Sequence, residues 1–295
     1  MPENQNLSAE LRVRVALEKH RFHTTHSLGQ NFLLSEAMIS HLLDLANLSE
    51  RDNVLEIGPG AGLMTCLMAE RTRRVTAIEL DKGLEPVLEE VLSGSENASV
   101  IYQDIMKTDL AALVDAQFDG EPYRVVANLP YYITADILLM LVSAPVKPQS
   151  ICIMVQKEAA ERLMSQPGSK QWCALAATLQ YFGELRVLEE VPPEAFDPAP
   201  HVVSRFIRID LYERPPLRPE DEKLFLRLLN AAFAMRRKTL SNNLKAAFGM
   251  DQAAAKEVLA AAGLDERVRG EALTLEELAR LSDCLSHYLR LRAGS

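Results

Sequence analysis

The chain has 295 residues, 48% hydrophobic and 25% charged, which is typical of a globular protein and excludes disorder over most of its length. The formal net charge of −9 argues, on average, against a polyanionic partner. The sequence has no uninterrupted run of about 18 apolar residues and no signal-peptide pattern, so we expect a cytoplasmic protein without a membrane segment.

Short β-rich runs alternate with helical patterns through the first half of the chain. The runs that predict buried parallel strands are 53–57, 75–79, 99–102, 123–127 and 151–155. The helical patterns that follow them cover 62–71, 82–92, 108–115, 134–142 and 157–164. This alternation predicts an α/β fold with a doubly wound, mostly parallel, Rossmann-like sheet.

The pattern changes after Trp172. A helix is predicted at 172–181, and strands at 184–188 and 202–209 are expected to form an antiparallel edge pair. Prolines in 213–219 break any regular element and indicate a linker. The remaining patterns are all helical and cover 220–232, 235–248, 251–262 and 274–292. We therefore expect a catalytic domain over 1–212, with an N-terminal helical extension, and a small α-helical domain over 213–295.

Four cysteines are scattered along the chain without a CxxC pair or a nearby metal-ligating histidine. This pattern favours free thiols and indicates neither a disulfide framework nor a metal site. No coiled-coil seam is evident either, so we expect a monomer.

A glycine loop follows the first predicted strand in the segment Glu56-Ile-Gly-Pro-Gly-Ala-Gly62. Gly58, Gly60 and Gly62 permit positive φ angles and a close approach of the backbone to a ligand. In a doubly wound sheet this position is where a nucleotide or nucleoside binds. A glycine loop alone is a weak signal.

Acidic residues end the next two strands. Glu79 lies 19 residues after Gly60, where a carboxylate can accept both hydroxyls of a ribose. Asp104 follows the third strand and is placed to accept from an adenine amine. The two acids fit adenosine, but they do not by themselves separate NAD from S-adenosylmethionine.

The segment Asn128-Leu-Pro-Tyr131 ends the fourth strand and is the most specific signal. The exocyclic amine of adenine is a poor nucleophile, so an enzyme that methylates it has to hold its N–H groups. Asn128 offers a side-chain carbonyl, and Leu129 offers a backbone carbonyl fixed in an extended conformation by Pro130. Tyr131 supplies a face for base stacking. A structural turn with two core aromatic residues is the alternative.

These motifs, in this order, make the chain resemble the ribosomal RNA adenine N6,N6-dimethyltransferases of the small subunit. The resemblance covers about residues 20 to 290. The motifs that carry it lie at 26–33 (HSLGQNFL), 56–60, 79, 104, 128–131, 196–204 (FDPAPHVVS) and 236–243 (RRKTLSNN). It implies that the methyl donor is S-adenosylmethionine and that the substrate is a pair of adjacent adenosines near the 3′ end of 16S rRNA, in an immature small ribosomal subunit.

The resemblance also implies roles for individual residues. The donor would be bound by Asn31, Leu33, Gly58, Gly60, Glu79, Asp104 and Asn128. The catalytic group would be Asn128, Leu129, Pro130, Tyr131 and Phe196. Phe196 would stack on a flipped adenine from the side opposite Tyr131, because a base removed from its helix needs replacement stacking.

A basic stretch between 223 and 250 contains six basic residues and no acidic residue. In isolation such a run is most simply a solvated helix face. The resemblance implies that part of it binds RNA phosphates. The residues that would do so are Arg236, Arg237, Lys238, Asn242, Asn243 and Lys245.

Three other functions remain open at this stage. The large-subunit adenine methyltransferases associated with macrolide resistance share the glycine loop, the Asn-Leu-Pro-Tyr segment and the Phe-x-Pro motif, but 26–33 and 236–245 match the small-subunit group better. An RNA-binding assembly factor without catalysis is a second possibility, and the intact 128–131 segment argues against it. An NAD-dependent dehydrogenase is the weakest hypothesis.

Overall fold

The computed structural model describes residues 7–22, 31–130 and 132–293. The chain divides into two compact units, one formed by Met1–Ala160 with Glu184–Leu211 and the other by Glu161–Gly183 with Tyr212–Ser295. The main part of the second unit begins at Tyr212, next to the linker predicted at 213. The unit also includes residues 161–183, which we predicted to belong to the first domain.

The first unit contains an α/β sheet. Its strands, in chain order, are β1 (Phe32–Leu33), β2 (Asn53–Ile57), β3 (Arg74–Glu79), β4 (Ala98–Tyr102), β5 (Tyr123–Asn128), β6 (Ser150–Gln156), β7 (Gly183–Val191), β8 (Phe196–Asp197) and β9 (Ser204–Leu211). Its helices are α1 (Ala9–Lys19), α2 (Glu36–Ala46), α3 (Leu63–Ala69), α4 (Glu85–Val91), α5 (Leu110–Phe118) and α6 (Thr134–Ser143), and α7 (Lys157–Leu163) begins in it.

Seven strands form the main sheet in the order β4-β3-β2-β5-β6-β9-β7. The pairs from β4 to β6 are parallel, whereas β9 is antiparallel to β6. Every residue of β2 is buried, as expected of a strand covered on both faces. This architecture confirms the predicted doubly wound, mostly parallel sheet. The strand order reverses between β2 and β5, and ligands of such sheets bind at this switch point.

The second unit is helical. It contains α8 (Ala174–Phe182), α9 (Glu222–Ala234), α10 (Leu240–Phe248), α11 (Gln252–Ala261) and α12 (Leu275–Ala293). Aromatic contacts explain why 161–183 belongs to it: the rings of Tyr181 and Phe225 are 4.9 Å apart, and those of Trp172 and Phe233 are 6.2 Å apart. The indole nitrogen of Trp172 also donates to the Leu273 carbonyl at 3.2 Å.

The helix predicted from 235 begins only at Leu240, so this boundary was wrong. Met235 leaves the helical conformation with φ −122° and ψ 75°, and Thr239 has the extended conformation of an N-cap residue. The Thr239 hydroxyl accepts from the Asn242 amide at 2.8 Å. The sequence from Met235 to Thr239 has no glycine or proline to mark the end of one helix and the start of the next. Arg236, Arg237 and Lys238 therefore lie on a loop between two helices.

In the described parts of the chain, none of the helices combines the length and the apolar composition needed to cross a membrane. Within the same ranges, no group of three histidine, cysteine, aspartate or glutamate side chains is arranged to hold a metal ion.

Candidate active site

A cleft opens at the carboxyl ends of β2, β3 and β5 and beside the residues that follow β4. It brings together every predicted donor-binding residue and three of the predicted catalytic residues, with Asn128 belonging to both groups: Asn31, Leu33, Gly58, Gly60, Glu79, Asp104, Asn128, Leu129 and Pro130. These residues come from five separate segments of the chain. Parallel strands deliver their carboxyl ends to one edge of the sheet, which is why such distant segments meet.

The glycine loop has the backbone that the sequence predicts. Gly58, Gly60 and Gly62 have φ angles of 69°, 55° and 83°. At Gly60 a Cβ atom would lie 2.9 Å from the ring of Phe32, and at Gly62 it would lie 2.8 Å from a methyl group of Leu88. Side chains at these two positions would be strained and would also displace their neighbours.

Glu79 connects the end of β3 to the glycine loop. One carboxylate oxygen accepts from the Asp81 amide at 2.7 Å, and the other accepts from the Gly60 amide at 3.3 Å. Burial raises the pKa of Glu79 above its usual value, and these backbone hydrogen bonds partly oppose that effect. The carboxylate is therefore fixed in place before any ligand binds.

Glu56 lines the cleft from within β2, and sequence reasoning missed it as a site residue. It is 2% exposed, and its carboxyl accepts from the Thr65 hydroxyl at 2.5 Å. Burial raises the pKa of Glu56 to about 8, with repulsion from Glu79 adding to the increase. A glutamate inside the apolar run of a buried strand was the signal that could have identified it.

Asp104 begins the short helical turn that follows β4. Its side chain accepts from the Met106 amide at 3.0 Å and lies 3.5 Å from the Lys107 ammonium group. The Asp104 carboxylate lines the cleft, as its predicted contact with an adenine amine requires.

Apolar side chains follow both acids and were also missed by sequence reasoning. Leu80 comes directly after Glu79 and is 56% exposed although it lines the cleft. Ile105 comes directly after Asp104 and lines the cleft as well. An exposed leucine beside a buried isoleucine offers apolar surface suitable for a flat base.

The segment after β5 contributes an amide and a backbone turn. The Asn128 side chain donates from Nδ2 to the Asn31 carbonyl at 3.0 Å. The Pro130 carbonyl accepts from the Thr134 hydroxyl at 3.1 Å, at the start of α6. Tyr131, predicted to stack on the base, lies outside the described residues, as do residues 26–30 of the first motif. Tyr132 lines the cleft and is 63% exposed.

Phe196 does not line this cleft. It is 5% exposed and belongs to the hydrophobic core, where it pairs with Leu33 between β8 and β1. A ring this buried has little face to offer a base, so the predicted stacking role requires that the ring become accessible.

In the helical unit, the predicted RNA-binding residues differ in exposure. Arg236, Arg237, Lys238 and Asn242 are exposed, and Lys245 is half-buried, with its ammonium group 2.9 Å from Gln252. Arg236 also hydrogen-bonds to the Lys170 carbonyl. Asn243 is only 1% exposed, and its amide donates to the Ala232 carbonyl at 2.8 Å. A direct contact of Asn243 with RNA does not fit this burial, because its side chain is used to join α10 to α9.

Comparisons with known proteins identify the family of the chain. The family model for ribosomal RNA adenine dimethylase matches residues 21–285. A "Ribosomal RNA small subunit methyltransferase A" of Alkaliphilus oremlandii is 40% identical over 284 residues, covering 96% of this chain and 99% of that protein. The protein of the same description from Shouchella clausii is 40% identical over 290 residues, covering 97% of this chain and 98% of that protein.

Two solved structures share the fold. A dimethyladenosine transferase from Plasmodium falciparum has a TM-score of 0.69 at 23% identity, over 84% of this chain and 94% of that one. The 23S rRNA methyltransferase ErmE has a TM-score of 0.64 at 26% identity, over 87% of this chain and 100% of that one. The family match extends over most of the chain and includes the glycine loop, both acids and the Asn128 segment. The chain belongs to the ribosomal RNA adenine dimethylase family.

Proposed function

We propose that the protein dimethylates N6 of two adjacent adenosines near the 3′ end of small-subunit (16S) rRNA, using S-adenosylmethionine. The observation that carries this proposal is that Asn128 and Leu129 line the same cleft as the glycine loop and the acids Glu79 and Asp104. A site for an adenosine-containing donor and two acceptors for an amine are thus adjacent. When bound, S-adenosylmethionine supplies an electrophilic methyl group on a sulfonium.

The residues of the cleft fit this donor. Glu79 is held by the Gly60 and Asp81 amides, and we assign it to the ribose hydroxyls. Leu80 and Ile105 flank the adenine in this assignment, and Asp104 accepts from its amine. Glu56 is a buried carboxyl whose pKa is raised by burial, and a cationic ligand beside it would favour its ionised form. Asn31, Leu33, Gly58 and Gly60 complete the donor site.

Catalysis in this proposal depends on positioning rather than on a strong base. Oδ1 of Asn128 and the backbone carbonyl of Leu129 accept the two N–H groups of the target amine, so that its lone pair faces the methyl group. The nitrogen gains positive charge as its bond to the methyl group forms and the methyl–sulfur bond breaks, which would leave a neutral thioether, and both oxygens stabilise the charge on nitrogen. The proton then leaves readily to solvent. Tyr131 and Phe196 are assigned to stack on the flipped base.

The helical unit is assigned to the RNA backbone. Arg236, Arg237, Lys238, Asn242 and Lys245 offer cationic and amide groups without a pattern that would read base edges. The small-subunit substrate is favoured over large-subunit rRNA because the relatives at 40% identity are small-subunit enzymes, whereas the 23S enzyme is 26% identical. An immature subunit as substrate, a monomeric enzyme and a cytoplasmic location are parts of the same proposal.

Labelled methyl transfer tests the function. Unmodified small subunits and isolated large-subunit RNA are each incubated with the enzyme and labelled S-adenosylmethionine, and the product nucleosides are analysed by mass. We expect dimethyladenosine in the small-subunit sample alone. Label found only in large-subunit RNA would contradict the proposed substrate and show that the enzyme methylates large-subunit rRNA.

The catalytic assignment is tested with Asn128→Ala and Tyr131→Ala. Removing an acceptor that stabilises developing charge is expected to lower single-turnover methyl transfer roughly 100-fold or more for Asn128→Ala. Loss of base stacking by Tyr131→Ala is expected to lower it about tenfold. Transfer at the wild-type rate by both variants would show that 128–131 is not the catalytic segment.

A further inference from the structure

The side-chain amide of Asn128 has a nitrogen and an oxygen, and the nitrogen already makes a hydrogen bond within the protein. Its Nδ2 donates to the main-chain carbonyl of Asn31 at 3.0 Å. A main-chain carbonyl only accepts, so the atom of the amide that faces it has to be the nitrogen. The acceptor that Asn128 can offer to a target amine is therefore Oδ1.

The carbonyl of Asn31 sits at the start of a segment, residues 31–34, that is anchored at two places. Phe32 and Leu33 form β1 and pair antiparallel with β8, and the Leu34 amide donates to the Ala195 carbonyl at 3.2 Å. On the other side, the Phe32 ring lies so close to Gly60 that a Cβ atom there would be 2.9 Å from it. We call residues 31–34 the cover segment. Its carbonyl is thus a fixed point, held by β8 and by the glycine loop.

We propose that the main-chain carbonyl of Asn31 is a positioning group for methyl transfer, which orients the Asn128 amide and thereby requires asparagine rather than aspartate at position 128. The inference rests on the proposed function. It makes Asn31 a positioning residue, because it acts on the target amine only through Asn128.

The choice of an amide is otherwise unexpected. The target nitrogen gains positive charge during transfer, and a carboxylate would stabilise that charge better than a neutral amide does. An ionised carboxylate, however, has only acceptors. Placed 3.0 Å from the Asn31 carbonyl, it would repel that oxygen instead of binding it. The hydrogen bond from Asn128 to the Asn31 carbonyl therefore explains why this position holds an amide and not a carboxylate.

The same hydrogen bond also connects the proposed binding sites of the methyl donor and the target adenosine. Asn31, Leu33 and Asn128 all line the cleft. The proposed function assigns the first two to the donor and Asn128 to the target amine. Loss of the Nδ2 hydrogen bond should remove one of the contacts that hold the cover segment and thereby weaken donor binding, even though the residue changed is the acceptor for the base.

The test is Asn128→Asp studied across pH. The introduced side chain has one O–H donor and one carbonyl when protonated, like the amide, but two acceptors when ionised. At about pH 8 we expect S-adenosylhomocysteine to bind roughly five- to tenfold more weakly than to wild type, the effect of one lost hydrogen bond. As the pH falls to about 5.5, affinity and methyl transfer should both recover towards wild type, because burial favours the protonated acid.

Other titratable and charged groups near the cleft are common to both proteins. They are Glu56, Glu79 and Asp104 on the cleft wall, Lys107 beside Asp104, and the Arg14–Asp197 pair at β8, whose charged atoms are 3.7 Å apart. Each measurement is therefore expressed as the ratio of variant to wild type at the same pH. If the amide acts only as an acceptor, the ratio for methyl transfer will rise with pH, the opposite sign, and the proposal is overturned.

Asn53→Asp is the matched control. Asn53 also donates from Nδ2 to a main-chain carbonyl, that of Pro122 at 3.3 Å, but it begins β2 and lies outside the cleft. We expect this variant to unfold at lower temperature while its affinity for S-adenosylhomocysteine remains that of wild type. An equal loss of affinity in both variants would attribute the effect to general destabilisation and overturn the proposal.

Asn128→Ala provides a second route if Asn128→Asp does not fold. This variant lacks the hydrogen-bond donor at every pH, so the ratio of its affinity for S-adenosylhomocysteine to that of wild type should stay low throughout. Hydrogen exchange of the Leu34 amide should be faster than in wild type. Unchanged exchange at Leu34 would overturn the proposal. A wild-type enzyme that binds S-adenosylhomocysteine but modifies no small subunit would instead refute the proposed function and leave the binding ratios interpretable.

Discussion

The cleft of the sheet unit and the basic loop of the helical unit use polar residues in different ways. In the cleft, Glu56, Glu79 and Asn128 each have a hydrogen bond to a neighbouring segment. On the loop, Arg237 and Lys238 are exposed, and no ion pair joins them to the residues that the structure describes. The first arrangement holds side chains in place by hydrogen bonds, and the second leaves long side chains able to adapt.

This difference corresponds to the two tasks proposed for the protein. Methyl transfer needs a near-linear approach of the reacting atoms, so its groups have to be positioned before the substrate arrives. Phosphate binding needs charge, and its strength depends on salt rather than on a single geometry. Substitutions in the cleft should therefore act through specific bonds, whereas substitutions on the loop should act in small, graded steps.

The largest effect among the following tests is expected for Glu79→Gln. The amide would place an NH₂ group against either the Gly60 or the Asp81 N–H, and it would offer one acceptor fewer to the ribose. We expect a 10- to 100-fold higher Kd for S-adenosylmethionine, since hydrogen bonds to charged groups contribute about 1.5–3 kcal/mol. Isothermal titration calorimetry measures it.

Asp109→Asn is the control for Glu79→Gln. Asp109 also accepts from two backbone amides, those of Ala111 and Ala112, but it caps α5 and does not line the cleft. Donor affinity should be unchanged in this variant. A similar loss in both variants would contradict a specific role for Glu79.

An intermediate effect is expected for Glu56→Gln, and it depends on pH. The pKa of Glu56 is raised to about 8 in the folded protein from 4.5, so the folded state retains a proton that the unfolded chain loses. Stability of the wild type should therefore fall as pH rises from about 5 to 8. Glutamine does not titrate, so the variant should gain a few °C in Tm relative to wild type over that interval. A Tm difference that is constant with pH would contradict the buried, protonated state of Glu56.

The smallest effects are expected on the loop. Arg237→Ala and Lys238→Ala should each weaken binding of small-subunit RNA about threefold at physiological salt and lower the salt dependence of binding by about one unit in the logarithmic slope. Lys256→Ala removes the same charge from the same unit, but Lys256 is already paired with Glu266 at 2.6 Å, so its slope should not change. Equal slopes in all three variants would show that the loop does not bind phosphate.

Local sequence patterns predict much of the fold. The strand predicted at 53–57 has those same bounds in β2, because a short run rich in Val, Leu and Ile is typical of a buried strand. The glycine loop was predictable for a similar reason: positive φ angles at 58, 60 and 62 demand glycine. The two-residue strands β1 and β8 were not predicted, since two residues are too few to show a period.

The partners of the site residues were less accessible to sequence reasoning. Asn243 belongs to the same motif as exposed cations, and only packing shows that its amide is committed to the Ala232 carbonyl. Phe196 lies in a functional motif, yet its ring is in the core. Glu56 was passed over because a strand residue is normally structural, and only its position in the cleft makes its charge matter.

The sequence by itself determined the order of the strands along the chain, the glycine loop, the acids after β3 and β4, and the acceptors after β5, because each depends on residues close in sequence. Only the tertiary structure decided that the helical unit takes in 161–183, that Glu56 is buried beside the donor, and that the Asn31 carbonyl binds the amide of Asn128. The last of these joins atoms 97 positions apart. Burial and hydrogen bonding across such separations are set by how the elements pack, which no local pattern records.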